Sequence, residues 1–206
     1  RPEFANHKHH LELTDLIAIC YPKGFFPTPE VIREFKDKIL WFGPVLNLPE
    51  DEFQLKEADV VRVNILVNRG KETVIPLVHE LSRELDFEII KRQFKSEKDH
   101  FSSLARTTIA ITQGTNAIFE CSHLGIPQVC LPINYEQLTV AKKFEEARAL
   151  KCIPLEKVTK ENLREALGEM VVDRALREKI VERARRFTTP PGTRDIAAAI
   201  IETVRG

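Results

Sequence analysis

The sequence shows no excess of either charge sign: across 206 residues, 31 lysines and arginines stand against 31 aspartates and glutamates. A dedicated nucleic-acid binder carries a basic surplus, so the balance argues against that class, though not against a local basic patch. No apolar run approaches the ~20 residues of a membrane span. No secretory leader is visible either. The four cysteines, Cys20, Cys121, Cys130 and Cys152, contain no pair at metal-ligand spacing. Three fall in apolar stretches, which reads as reduced, buried thiols in a cytoplasmic protein and leaves a disulfide or reactive thiol as the alternative. Internal repeats and low-complexity tracts are lacking. The sequence starts at Arg1 rather than methionine, so processing, a tag remnant or truncation is expected.

What is present is an alternation of apolar runs and amphipathic stretches. Hydrophobic residues make up 43% of the chain, enough for one good core or two small ones. Residues 16–20 and 39–42 read as strands around a short helix opened by Thr28 and Pro29. Residues 47–58 are polar and acidic, without apolar periodicity, and read as a linker. A second series follows. Strands are expected at 61–67, 87–90, 108–113 and 128–131. Between the first two, Val74, Leu77, Val78, Leu81 and Leu85 share one helical face. A short helix or turn spans 101–105. Later helices are expected from 136 to about 150, at 161–170, 173–187 and 195–205, with a short edge strand at 152–155 limited by Pro154. The fold class is therefore α/β: a Rossmann-like parallel sheet with helices on both faces, preceded by a strand–helix–strand unit too small to form a core alone. The division expected is 1–46, a 47–58 linker, and a ligand-binding domain at 59–206, although the last helix could instead pack on residues 1–46.

The most informative stretch is 112–137. A buried strand ends at Gln113 and Gly114 follows at once, where glycine permits a sharp strand-to-helix turn and close approach of a ligand. Thr115 or Asn116 can cap the next helix. Gly125 sits at the left-handed C-terminal position, and Pro127 stops the helix. The N–H groups at such a helix start favour phosphate, and open α/β sheets collect ligands at these strand ends. Glu120, in the second helical turn, is placed to reach a ribose diol. Glu136 and Gln137 begin the next helix beside the same crevice. Taken singly, Gly114 is also an ordinary turn glycine, Glu120 a solvated helix residue, and Gln137 a helix start.

With those residues in view, the stretch resembles the carboxyl-terminal domain of MurG-like glycosyltransferases of the two-domain GT-B fold. Gly114 and Glu120 keep that family's six-residue spacing, and the turn at 124–127 follows. Glu136-Gln137 and Ala141 match the Asp-Gln and final alanine of glucuronosyl-type relatives, whose asparagine is replaced here by Val140. The resemblance implies sugar transfer from a UDP-sugar, with inversion and without a cofactor or obligatory metal. It assigns the diphosphate to Gly114, Thr115, Asn116, Arg69 and Gly70, the ribose to Glu120, and the donor sugar or distal phosphate to Glu136 and Gln137. Arg69 reads equally as a solvent-facing loop arginine. No catalytic base is identified. The family places it, with the acceptor site, in an amino-terminal domain. Residues 1–46 look like the tail of that domain, so the expected partners are the UDP-sugar and a missing domain or separate acceptor-binding subunit. Peripheral membrane association would come through that subunit.

Two other functions remain open. One is a nucleotide-sugar hydrolase or epimerase, which would need its own acid or base among His100, His123 and Glu136. The other is a non-catalytic nucleotide-binding partner subunit. His100 and His123 show no evident partner in the sequence. The irregular His7-Lys-His-His10 cluster reads as a solvated terminal segment rather than a metal site.

Overall fold

In this computed structural model the described residues are 8–25, 30–46, 53–56, 59–90, 96–114, 116–188 and 192–205. Thr28, Pro29, His7, Thr115 and most of the 47–58 linker lie outside them. The chain divides into two compact units: residues 1–46 with 188–206, and residues 47–187. The expected 59–206 segment thus differs at its end, because 188–206 is grouped with the amino-terminal residues.

In the first unit, β1 (Ile17–Ile19) and β2 (Ile39–Trp41) pair in parallel, with Ala18 opposite Leu40. Before them comes α1 (Lys8–Glu12), and between them α2 (Glu30–Arg33). The helix expected to reach Lys38 ends early: Phe35 leaves helical geometry, and 36–38 form a 3-10 turn. The closing helix is α9 (Thr193–Arg205). Its Thr193 hydroxyl donates to the Leu46 carbonyl at 3.0 Å and accepts from the Leu46 N–H at 3.1 Å. The last helix is thereby tied to the 42–46 segment.

The second unit is a five-stranded parallel sheet. Its strands are β3 (Arg62–Ile65), β4 (Glu88–Ile89), β5 (Ile109–Thr112), β6 (Gln128–Cys130) and β7 (Lys151–Cys152), in the order β4-β3-β5-β6-β7. Its helices are α3 (Lys71–Glu84), α4 (Glu97–Ala105), α5 (Asn116–Leu124), α6 (Tyr135–Glu146), α7 (Lys160–Val172) and α8 (Arg174–Arg185). Successive strand side chains point to opposite faces, and both faces are apolar. Val63, Ile109, Ile111 and Val129 pack with Val74, Val78 and Leu81 of α3 and with Leu163, Leu167 and Met170 of α7. Ala110 turns the other way, into a cluster with Phe101 and Leu104 of α4 and Cys121 and Leu124 of α5. Helices α3 and α5 therefore cover opposite faces, although β3 and β5 are neighbours.

Local chemistry explains where these elements stop. Helix α5 ends as the sequence suggests: Gly125 adopts φ +81. The Ile126 N–H reaches the Cys121 carbonyl at 2.8 Å and the Gly125 N–H the Ser122 carbonyl at 3.4 Å, the paired bonds of a Schellman motif. Helix α4 starts four residues before the expected 101, because Ser96 caps it by accepting from the Asp99 N–H at 3.2 Å. The strand expected at 152–155 is confined to 151–152 by Pro154.

The apolar pattern hides one buried polar tether. Gln128 on β6 is fully buried. Its Oε1 accepts from the Thr112 hydroxyl at 2.9 Å, while its Nε2 donates to the Ile118 carbonyl and the Ser122 hydroxyl, both at 3.0 Å. One side chain thus fixes α5 to β5 and β6. Gln128→Leu should strand these groups without partners and cost about 3 kcal/mol in urea unfolding. A loss below about 1 kcal/mol would show that the tether is dispensable.

Candidate functional site

In the order β4-β3-β5-β6-β7 the chain leaves β3 for one sheet edge and leaves β5 for the other. Their carboxyl ends therefore flank a topological switch point, where the two following loops part, the place at which open α/β sheets form their ligand crevice. One loop is 66–70, leading into α3, and the other begins with Gln113 and Gly114 ahead of α5.

The two loops are stitched together by Gln113, a residue that the sequence marked only as a strand end. Its Oε1 accepts from the Asn68 N–H at 2.7 Å and the Arg69 N–H at 3.1 Å, and its Nε2 donates to the Arg69 carbonyl at 2.6 Å. The side chain acts as an extra rung of backbone pairing, and it is only 3% exposed. With this clamp in place the Arg69 side chain stays exposed, and Gly70, at φ +73, forms the N-cap of α3.

Gly114 has φ +72, a backbone state that side chains resist. A Cβ there would lie 2.9 Å from the Gln137 Cβ and 3.0 Å from the Gln137 carbonyl oxygen. The expected ligand-approach glycine therefore also has a packing reason: it lets the first turn of α6 close over the β5–α5 loop. Asn134 caps α6 by accepting from the Gln137 N–H at 2.9 Å, and Gln137 Oε1 accepts from the Ile133 N–H at 3.0 Å. The Gln137 acceptor oxygen is thus engaged, which leaves its amide N–H groups for a ligand. Glu136 is exposed in the same turn, and Asn116 is exposed as the first residue of α5.

The structure brings Arg69, Gly70, Gly114 and Gln137 together around this crevice, with Asn116 beginning the adjoining helix. Glu120 is tied to the neighbouring helix: its Oε2 lies 3.0 Å from His100 Nε2 on α4. The sequence showed no partner for His100, because the two residues stand 20 positions apart. The short helix expected at 101–105 began after His100, so the sequence did not place His100 on a helix at all.

Other reactive groups offer little chemistry here. Burial pushes the Cys121 and Cys130 thiols up, and Cys152 to about 11, with nearby Glu145 adding to the effect on Cys152. None is a ready nucleophile. Among the described residues no group of three His, Cys, Asp or Glu side chains could hold a metal ion. No described helix is long and apolar enough to cross a membrane. A cavity of about 730 Å³ opens beside Thr107, Thr108, Gly125 and Pro127, lined also by Arg177 and Arg185. It borders the amino ends of β5 and β6, at the end of the sheet opposite the two clamped loops.

The chain is similar to known proteins in sequence and in fold. The family described as "UDP-glucoronosyl and UDP-glucosyl transferase" has a model that matches residues 104–198. That span includes Gly114, Glu120, Glu136 and Gln137 but not Arg69 or His100. An uncharacterized UDP-glucosyltransferase, YojK of Bacillus subtilis (strain 168), is 21% identical over 216 residues, covering 93% of this chain and 52% of that protein. Among solved structures, the glycotransferase of kitacinnamycin matches with a TM-score of 0.66 at 18% identity, over 98% of this chain and 62% of that one. Acinetobacter baumannii MurG matches with a TM-score of 0.66 at 15% identity, over 95% of this chain and 62% of that one. The chain spans about half the length of the curated relative it matches. The fold is the flanked parallel sheet of GT-B glycosyltransferases.

Gln113→Leu should leave the Asn68 and Arg69 N–H groups without an acceptor. Amide hydrogen exchange at 68–70 should accelerate at least tenfold while β5 amides hold their protection, with a stability loss of about 2 kcal/mol. Unchanged exchange at 68–70 would mean that the clamp does not order the loop.

Proposed function

We propose that this chain, which shares the GT-B fold and is similar to UDP-sugar transferases over residues 104–198, is the donor-binding half of a glycosyltransferase moving a sugar from a UDP-sugar to an acceptor. The observation that carries this reading is the clamped pair of loops at the β3–β5 switch point, each opening into a helix start. Departure of the nucleoside diphosphate builds negative charge on the terminal phosphate. Preorganised N–H groups and a helix start stabilise such charge without further reorganisation. Gly114, Thr115 and Asn116 supply that cradle, with Gly70 and the Arg69 guanidinium completing it from the neighbouring loop. Glu120 takes the ribose hydroxyls. Glu136 and the free amide N–H groups of Gln137 take the donor sugar or distal phosphate.

In this reading the acceptor attacks the anomeric carbon from the face opposite the leaving diphosphate, which inverts its configuration. The base that removes the acceptor proton, and the acceptor site itself, belong to a further domain or separate subunit. That partner would also bring any peripheral membrane contact, on the cytoplasmic side. No cofactor or metal takes part, because amide dipoles meet the phosphate charge. One observation favours a second reading, a nucleotide-binding subunit without catalysis. Val140, in place of the asparagine of glucuronosyl-type relatives, is buried and offers no side-chain hydrogen bond.

Calorimetry should show UDP binding to the chain. Glu120→Ala should weaken it roughly 10- to 100-fold, as loss of hydrogen bonds to a charged group does, with little change in Tm. Absence of UDP binding, or a Tm lowered by several degrees with affinity intact, would overturn the assignment. UDP release that requires added acceptor marks a transferase, and release without it a hydrolase.

A further inference from the structure

Helix α4 leads directly into β5, so it runs antiparallel to the strands and its amino end lies at their carboxyl edge, beside the start of α5. The Ser96 cap fixes that end. His100 is in the first helical turn, with its ring 5.4 Å from that of Phe101, which anchors α4 in the core it shares with α5. Glu120 lies four residues after Asn116, on the same side of α5. The His100 Nε2 to Glu120 Oε2 contact of 3.0 Å spans the two helices. Both side chains are largely withdrawn from water, at 24% and 14% exposure. In the tautomer protonated at Nε2 the imidazole donates to this carboxylate oxygen, which accepts. A carboxylate with one oxygen held in this way can turn only about that bond. Its second oxygen keeps the full acceptor capacity that a diol needs.

From this we infer that His100 is a positioning residue for ribose recognition: it holds one Glu120 oxygen so that the other accepts from the sugar hydroxyls of the bound nucleotide. The inference rests on the donor-site reading and adds what enforces ribose over deoxyribose. It assigns the discrimination to a residue outside the 104–198 match, on a helix that approaches from the neighbouring crossover. Without that bond the Glu120 side chain spreads over several rotamers, and the diol interaction loses its preorganisation. The phosphate contacts, made by other loops, are untouched.

The test is calorimetry with UDP and with 2′-deoxy-UDP on the whole chain. Four proteins are compared: wild type, Glu120→Ala, His100→Leu, which keeps the bulk beside Phe101 without a donor, and His100→Gln, which restores an N–H. Wild type should prefer UDP by roughly tenfold, the worth of one good hydrogen bond to a charged group. His100→Leu should bring that ratio to within about twofold of unity by weakening UDP alone, and His100→Gln should recover most of it. Their Tm values should agree within a few degrees. A ratio unchanged in His100→Leu while Glu120→Ala still abolishes it would overturn the positioning role and leave the donor site standing. A ratio unaffected by Glu120→Ala as well, or no UDP binding to wild type, would overturn both.

Discussion

A parallel sheet whose two central neighbours send their helices to opposite faces leaves a gap at their carboxyl ends, and this chain spans that gap with one side chain. Gln113 lends its amide to the 68–69 backbone, so the loops after β3 and β5 are tied to each other. Gly114, the next residue, has no Cβ and lets α6 approach at Gln137. The helix starts at 71, 116 and 135 are thereby set around one crevice. The proposed diphosphate cradle depends on that arrangement more than on the identity of any single exposed residue.

The devices that fix the crevice are polar groups inside an apolar sheet. Burying an amide is costly unless its hydrogen bonds are made. Gln113 and Gln128 meet that condition through bonds to backbone and hydroxyl groups. Asn64 on β3 meets it in part: its Nδ2 donates to Ser103 and Thr107, while its buried Oδ1 has no hydrogen-bond partner. Directional bonds of this kind add less net stability than apolar packing of the same volume, but they specify orientation. Helix α5 is held at its first turns by Gln128 and at its end by the Gly125 cap, so the N–H groups at its start face a defined place. A site that stabilises charge by fixed dipoles needs that fixity.

Much of this was legible in the residues. The strands at 109–112 and 128–130 and helix α5 follow from short apolar runs punctuated by Gly114, Gly125 and Pro127, because glycine and proline act on the local backbone. The amphipathic face of α3 was equally plain from Val74, Val78 and Leu81. What the sequence withheld was long-range and polar. Gln113 and Gln128 look like ordinary strand residues, since nothing local says which distant backbone an amide will meet. The His100–Glu120 pair depends on two helices lying side by side, and that follows only from the sheet order. The start of α4 at Glu97 depended on a single serine cap ahead of a polar first turn, where apolar periodicity has no reach. The grouping of 188–206 with the first unit is a tertiary fact that the sequence offered only as an alternative, the last helix packing on residues 1–46.

The central claim is that nucleotide is held at the β3–β5 switch point, and amide hydrogen exchange with and without saturating UDP tests it most directly. The account predicts slowed exchange confined to the loops at 68–72 and 114–118 and the first turn of α6. Protection concentrated around Gly125 and Arg185 at the opposite edge of the sheet, or none anywhere, would contradict it.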